Sequence, residues 1–318
     1  MRSAASRRLA PLRSLSPVLG GHVGGERMRI LLKLLLSAST AGVACLLLSG
    51  PAGAAGGRFA RVGAARLFYE QAGKGPDVVL IHGFTLDRRM WDPQVPALAK
   101  HFRVTRYDVR GFGQSIPLTG PHDPTEDLRS LLDQLAIRQT CIVGMSMGGR
   151  IAIDFALSQP KRVKCLVLIA ADMSGFPHPT WGDRFGPMFE AGAKGDLARA
   201  KALWLRDRFV TPVKEDQAIT AVVERLITEC PCSQLANPAL IPQAAVPPAF
   251  ERLEALRVPT LAIVGDAEDP DMRAIADTIE RRVTGARKLV IPGAGHLVNM
   301  EQSGVLNDAV IAFLRTRT

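Results

Sequence analysis

From residue 58 onward the chain alternates short apolar runs with longer segments of helical period. Residues 58–62 and 65–70 read as a strand pair turning at Gly63-Ala64. Val78-Val79-Leu80-Ile81 is continuously apolar, a strand buried on both faces, and residues 91–100 read as helical. The next strand runs from Phe102 to Tyr107 and the next helix over 124–136. Cys141-Ile142-Val143 and Val163 to Ile169 are further buried strands, separated by a helix over 147–158. Pro259 to Val264, a helix near 271–283, Lys288 to Ile291 and a helix over 301–315 complete the series. Strands apolar on both faces that alternate with helices predict an α/β fold, a mostly parallel central sheet flanked by helices.

The alternation breaks once. Residues 173–255 hold no strand pattern; Trp181, Phe185, Met188, Phe189, Trp204 and Phe209 stand among helix formers, and Pro238, Pro242, Pro247 and Pro248 mark the exit. This predicts a helical cap over the sheet, dividing the core into 56–172 and 256–318. Some of the cap aromatics are expected to line a cavity beneath it.

Composition adds little except at the N-terminus. With 47% hydrophobic and only 5% aromatic residues, the core must be mainly aliphatic. The net charge of +10 suggests a nucleic-acid partner until it is located. Residues 1–55 carry seven basic residues against Glu26 alone, a net +6, leaving +4 on the rest. Such a body has no clustered footprint for DNA or RNA. Arg27, Arg29 and Lys33 precede an apolar run from Leu34 to Leu48, then Ala52-x-Ala54. Basic flank, apolar core and small-residue site form a secretory signal, so residues 1–55 read as a leader and the protein as exported, periplasmic or secreted. The run is shorter than the ~20 residues of a membrane span; an uncleaved N-terminal anchor is the alternative. Met28 opens a conventional leader, which makes Met1 or Met28 the start. Cys141 and Cys165 read as small buried hydrophobes. Cys230-Pro231-Cys232 reads as free thiols or thiols with other partners, because a C-x-C bridge closes a very tight ring. The spacing is not that of a zinc site, and no metal or cofactor is implied.

The chemistry centres on Gly144-Met145-Ser146-Met147-Gly148-Gly149. This G-x-S-x-G follows the strand Cys141-Ile142-Val143 and opens the helix Arg150-Ile151-Ala152-Ile153. A serine on such a turn is lifted clear of the sheet on strained backbone. Gly144 and Gly148 are needed because the turn brings them together with no room for a Cβ. The helix N-terminus turns its free N–H groups toward the site.

With His82-Gly83-Phe84, Asp108 to Ser115, Val264-Gly265-Asp266-Ala267-Glu268 and Gly293-Ala294-Gly295-His296, all in order, the chain from about residue 65 to 317 resembles the α/β-hydrolase superfamily. Within it, the chain is similar to the small esterase, enol-lactonase and non-haem haloperoxidase group. The resemblance implies Ser146 as nucleophile, His296 as its base, and the N–H groups of Phe84 and Met147 as oxyanion donors. His82 would order its loop. His101 and His178 lack the base's placement, and His122 reads as a loop or helix-cap residue. The family's acid usually follows a G-x-x-D pattern, which here places Glu268; Asp269 is the alternative, with Asp266 and Asp172 behind. Asp108, Arg110 and Ser115 read as a self-bonded structural loop.

The expected activity is a serine hydrolase acting on a small or medium carboxylic ester or lactone through an acyl-enzyme on Ser146. A perhydrolase or haloperoxidase-like side activity would use the same triad. Haloalkane dehalogenase and typical epoxide hydrolase chemistry needs aspartate at the elbow, which Ser146 argues against. A non-catalytic ligand binder that keeps the pocket is the alternative from another class; the unusual acid is its support. The partner is a small-molecule ester or lactone, with no nucleic acid and no membrane partner beyond export.

If the leader is cleaved, protein made in a bacterial host will begin near Ala55, and mass spectrometry will show the loss of the first 54 residues. An intact N-terminus in washed membranes would favour the anchor.

Overall fold

The computed structural model describes residues 56–317; the leader expected over residues 1–55 lies outside these. One eight-stranded sheet runs through the molecule: β1 (Arg58–Val62), β2 (Ala65–Ala72), β3 (Asp77–Ile81), β4 (Arg103–Tyr107), β5 (Thr140–Met145), β6 (Val163–Ile169), β7 (Thr260–Gly265) and β8 (Arg287–Ile291). Their spatial order is β1-β2-β4-β3-β5-β6-β7-β8. The β1–β2 hairpin turns at Gly63-Ala64, and β2 pairs antiparallel with β4. From β4 to β8 every pairing is parallel. The central strands are sealed on both faces: Val78 to Ile81 and Cys141 to Val143 have essentially no exposure. Each aliphatic side chain so buried contributes about 1.5–3 kcal/mol.

Helices α1 (Val95–Leu98), α2 (Pro124–Gln134), α3 (Met147–Ser158), α4 (Trp181–Ala193), α5 (Leu197–Trp204), α6 (Gln217–Glu229), α7 (Ser233–Ala236), α8 (Pro270–Arg282), α9 (Val298–Glu301) and α10 (Ser303–Arg315) fill the connections. Between β6 and β7 the chain forms α4 to α7 and no strand. The helix expected over 91–100 shrinks to a 3₁₀ turn over Arg88–Trp91 and the four-residue α1. Pro93 and Pro96 cannot donate into a continuous helix, and Pro96 is tolerated only in the first turn of α1. The expected 301–315 helix is broken at Gln302, whose backbone leaves the helical region and whose side chain donates to the Gly293 carbonyl at 3.2 Å.

The cysteine reading needs correction. Cys141 and Cys165 are fully buried, as expected, but stand opposite each other on neighbouring strands β5 and β6 and form a disulfide, Cα–Cα 4.6 Å. Register alone brings them together. Cys230 and Cys232 are also bonded to each other, not free; Cys232 adopts a left-handed backbone, φ 49°, which turns the chain back on Cys230.

Asp108, just beyond β4, organises the sheet edge under the site. One of its oxygens accepts from the Arg88 N–H (2.9 Å); the other accepts from the Arg88 guanidinium (2.9 Å) and the Gln114 N–H (2.8 Å). Ser115 Oγ donates to the Asp108 carbonyl and accepts from the Phe68 N–H. Arg110 pairs with Asp127 on α2. These are internal bonds of a structural loop. Burial pushes the Asp108 carboxyl above its ordinary value, and Arg88 opposes that rise.

Asp108→Ala leaves the Arg88 guanidinium with Glu70 as its ionic partner but strips the Arg88 and Gln114 N–H groups of their acceptor. Leaving a buried donor unpaired costs about 1–3 kcal/mol, so urea unfolding will show a lower midpoint and a correspondingly reduced free energy of unfolding.

Candidate active site

The parallel strands deliver their C-terminal ends to one edge, where loops converge. Of these, β5 passes into α3 through Ser146 alone. Ser146 has φ 53° and ψ −118°, a conformation costing about 1–3 kcal/mol for a residue with a side chain. Its backbone is held from several sides: its N–H donates to the Ile169 carbonyl, and its carbonyl accepts from Gly149, Arg150 and Asp172. The crowding explains both glycines. A Cβ on Gly144 would lie 2.3 Å from the Gly148 carbonyl oxygen, and one on Gly148 would lie 2.2 Å from the Ile81 carbonyl oxygen.

His296 lies in the loop after β8 and Glu268 in the loop after β7. Both are buried, and Nδ1 of His296 is 3.1 Å from each carboxylate oxygen of Glu268. A carboxylate only accepts, so Nδ1 carries the proton and Nε2 is left as an acceptor. Glu268 also receives the Asp269 N–H at 2.7 Å, which fixes the direction of its longer side chain. Glu301 on α9 holds the His296 loop: one oxygen accepts from the Gly295 N–H (3.0 Å), the other from the Val213 N–H of the cap (2.8 Å).

The remaining acid candidates are engaged elsewhere. Asp269 caps α8 by accepting from the Asp271 N–H, and pairs with Arg184 (2.6 Å) and Arg208 (2.9 Å) of the cap. Asp266 is exposed and accepts from the Gly293 N–H. Asp172 faces Arg150 at 3.7 Å and His178 at 3.3 Å, the latter too far off line for a hydrogen bond. Burial would raise the Asp172 carboxyl, but His178 and Arg150 outweigh it and hold it below its ordinary value. His178 stacks on Trp181 and reaches Asp271; His101 is exposed.

The loop after β3 is equally constrained. His82 is fully buried; its Nδ1 donates to the Gly83 carbonyl (2.8 Å) and its Nε2 accepts from the Val109 N–H (2.9 Å). Burial pushes this imidazole below its ordinary value, which keeps it neutral and suited to one donor and one acceptor bond. From the cap, Trp204 Nε1 donates to Thr85 Oγ1 at 2.6 Å. The amides of Phe84 and Met147 donate to no acceptor among the described residues.

The reactive edge opens into one cavity of about 230 Å³. Ser146, His296, Phe84 and Met147 line it, and all six large cap side chains singled out in the sequence complete its roof. Phe209 stacks on the His296 ring, centroids 4.1 Å apart and planes inclined by 19°, while the Arg184 guanidinium lies 4.3 Å above Phe209 on the way to Asp269. Sequence reasoning missed Arg184, Glu301 and the cavity-facing position of His122, which stands in its loop as expected but also lines the cavity. No local signal marks them.

The sequence profile of the alpha/beta hydrolase family matches residues 78–309. The chain belongs to that family. It is 29% identical over 231 residues to 3-oxoadipate enol-lactonase 1 of Acinetobacter baylyi, covering 71% of this chain and 84% of that protein. It is 28% identical to the pimeloyl-[acyl-carrier protein] methyl ester esterase of Aeromonas hydrophila, covering 71% and 91%. Among solved structures, a thermophilic esterase from Thermogutta terrifontis aligns with a TM-score of 0.69 at 26% identity, covering 82% of this chain and 99% of that one. The chain is thus a hydrolase with esterase- and lactonase-type relatives.

Gly148→Ala will lower the unfolding temperature by several degrees or prevent folding, because backbone cannot yield as a flexible side chain does. Gly182→Ala, in α4 with nothing within 4 Å, will leave it unchanged or slightly raised. Thermal unfolding of both proteins checks this.

Proposed function

We propose that the chain is a serine hydrolase that cleaves a small or medium carboxylic ester or lactone through an acyl-enzyme on Ser146. The observation that carries this reading is the even clamp of Glu268 on His296 Nδ1, 3.1 Å to each oxygen, in the cavity that Ser146 also faces. That clamp leaves Nε2 as the acceptor that a general base requires.

Ser146 Oγ attacks the substrate carbonyl carbon while His296 Nε2 takes the hydroxyl proton. Negative charge grows on the carbonyl oxygen, where the unengaged N–H groups of Phe84 and Met147 receive it; such donors are often worth about 3–4 kcal/mol. The bond to the leaving oxygen then breaks, and His296 returns the proton to that oxygen. In a lactone the released alcohol stays tethered to the acyl group. Water attacks the acyl-enzyme, His296 takes its proton and passes it to Ser146 Oγ, and the acid departs. Glu268 stabilises the imidazolium in both halves. The apolar roof excludes water and strengthens these electrostatic terms.

The reading of the fold as a binder without turnover rests on the unusual acid; the 3.1 Å contacts between Glu268 and His296 support the hydrolase instead. We place its action outside the cytoplasm, on the leader pattern read over residues 1–55 and on the two disulfides, which accord with an oxidising compartment.

Ser146→Ala and His296→Ala will each abolish hydrolysis of p-nitrophenyl esters while the protein stays folded. Glu268→Gln will lower kcat by about 10³–10⁴-fold with little change in KM. Asp269→Asn will act through cap attachment instead, with a smaller loss of kcat and lower thermal stability. A severe kcat loss in Asp269→Asn beside an active Glu268→Gln would reverse the assignment.

A further inference from the structure

Apolar side chains form most of the cavity wall, yet three buried polar atoms in lining residues lack a partner: the indole Nε1 of Trp181, which only donates, and one atom each of Gln234 and His122, the two that can also accept or take either role. Gln234, on the cap helix α7, is 2% exposed, and its Oε1 has no hydrogen-bond partner among the described residues. His122, in the loop before α2, lines the same cavity, and its Nδ1 is likewise buried and unpartnered. Neither belongs to the triad or to the oxyanion loop. Space has been left for the Gln234 amide: a Cβ on Gly111 would lie 2.8 Å from its Nε2 and 2.9 Å from Leu118. Buried polar groups are almost always bonded, so their partner is supplied by what enters the cavity.

The wall constrains the charge of that partner. Arg150 is the only lysine or arginine in the lining and Asp172 the only aspartate or glutamate, and they face each other at 3.7 Å. Burial holds the His122 imidazole below its ordinary value, with Asp127 opposing and Arg110 assisting. The wall is therefore neutral and hydrogen-bonding. A hydroxyl both donates and accepts, so it can pair with the Gln234 amide in either orientation and with either neutral tautomer of His122. A carboxylate cannot donate and finds no unpaired cation there.

We propose that the cavity recognises an ester or lactone bearing a neutral hydroxyl away from its reacting carbonyl, with Gln234 and His122 as the groups that bind it. The inference rests on the ester-hydrolase reading for the reacting end of the ligand and adds the chemistry of the other end.

The test is a binding titration on the Ser146→Ala protein, followed by the fluorescence of Trp181 and Trp204, both of which line the cavity. The ligands are methyl 3-hydroxybutanoate, its isostere methyl 3-methylbutanoate, and the anion of monomethyl succinate. The hydroxy ester will bind at least about tenfold more tightly than the isostere, the worth of one buried hydrogen bond. Equal binding, tighter binding of the isostere, or tightest binding of the anion would overturn the inference. Gln234→Leu and His122→Phe, each added to Ser146→Ala, will reduce the preference to within twofold; if one fails to fold, the other decides, and a preference retained in every folded variant also overturns it. Because no turnover is measured, the result stands apart from the catalytic reading. A hydroxyl preference in Ser146→Ala beside an unmodified protein that cleaves no ester would sink the hydrolysis alone.

Discussion

The site depends on one packing constraint: α3 must start within a single residue of the end of β5, against the neighbouring strand β3. That close approach excludes a Cβ at positions 144 and 148 and forces Ser146 into a left-handed φ. The strain is tolerated because the Ser146 backbone is bonded to β6, to α3 and to the loop after β6. The Ser146 hydroxyl is thus carried between a strand and a helix rather than by a long loop, which is what precise placement requires. The loops after β3, β7 and β8 reach the same edge because their strands are parallel and in register.

The cap completes the site through a line of unlike contacts. Asp269 holds Arg184, Arg184 lies over Phe209, and Phe209 covers His296. Asp269, beside Glu268, thereby bears on the face of the His296 ring by fixing the cap that covers it. Trp204 does the same for the loop after β3 through Thr85. These bonds hold polar groups at fixed positions beneath an apolar roof, where unpaired charge is costly and paired charge is strong.

Much of this was legible in the sequence because its signals are local. Runs such as Val78 to Ile81 are buried on both faces of a strand whichever partners they meet, and the serine turn is written in six consecutive residues. The readings that failed involve distance or competition. Pro93 and Pro96 interrupt a segment whose apolar spacing looks helical. Cys141 and Cys165 look like ordinary core residues until sheet register sets them side by side. Glu268 and Asp269 are adjacent acids after one strand, and the family pattern puts Glu268 first with Asp269 as the alternative; in the structure Arg184, 85 residues away, pairs with Asp269 while Glu268 meets His296.

Periodicity and turn chemistry by themselves determined the succession of strands and helices along the chain, the elbow at Ser146 and a helical cap, since each needs only neighbours in sequence, and the family resemblance added the histidine loop. Which acid touches His296, which aromatic covers it, and which polar groups, Gln234, His122 and Trp181, line the cavity with an unpartnered atom were decided only by the tertiary structure. Those outcomes depend on distances between segments far apart in the chain, and a hydrogen bond or a stacking contact exists only once folding has set those distances.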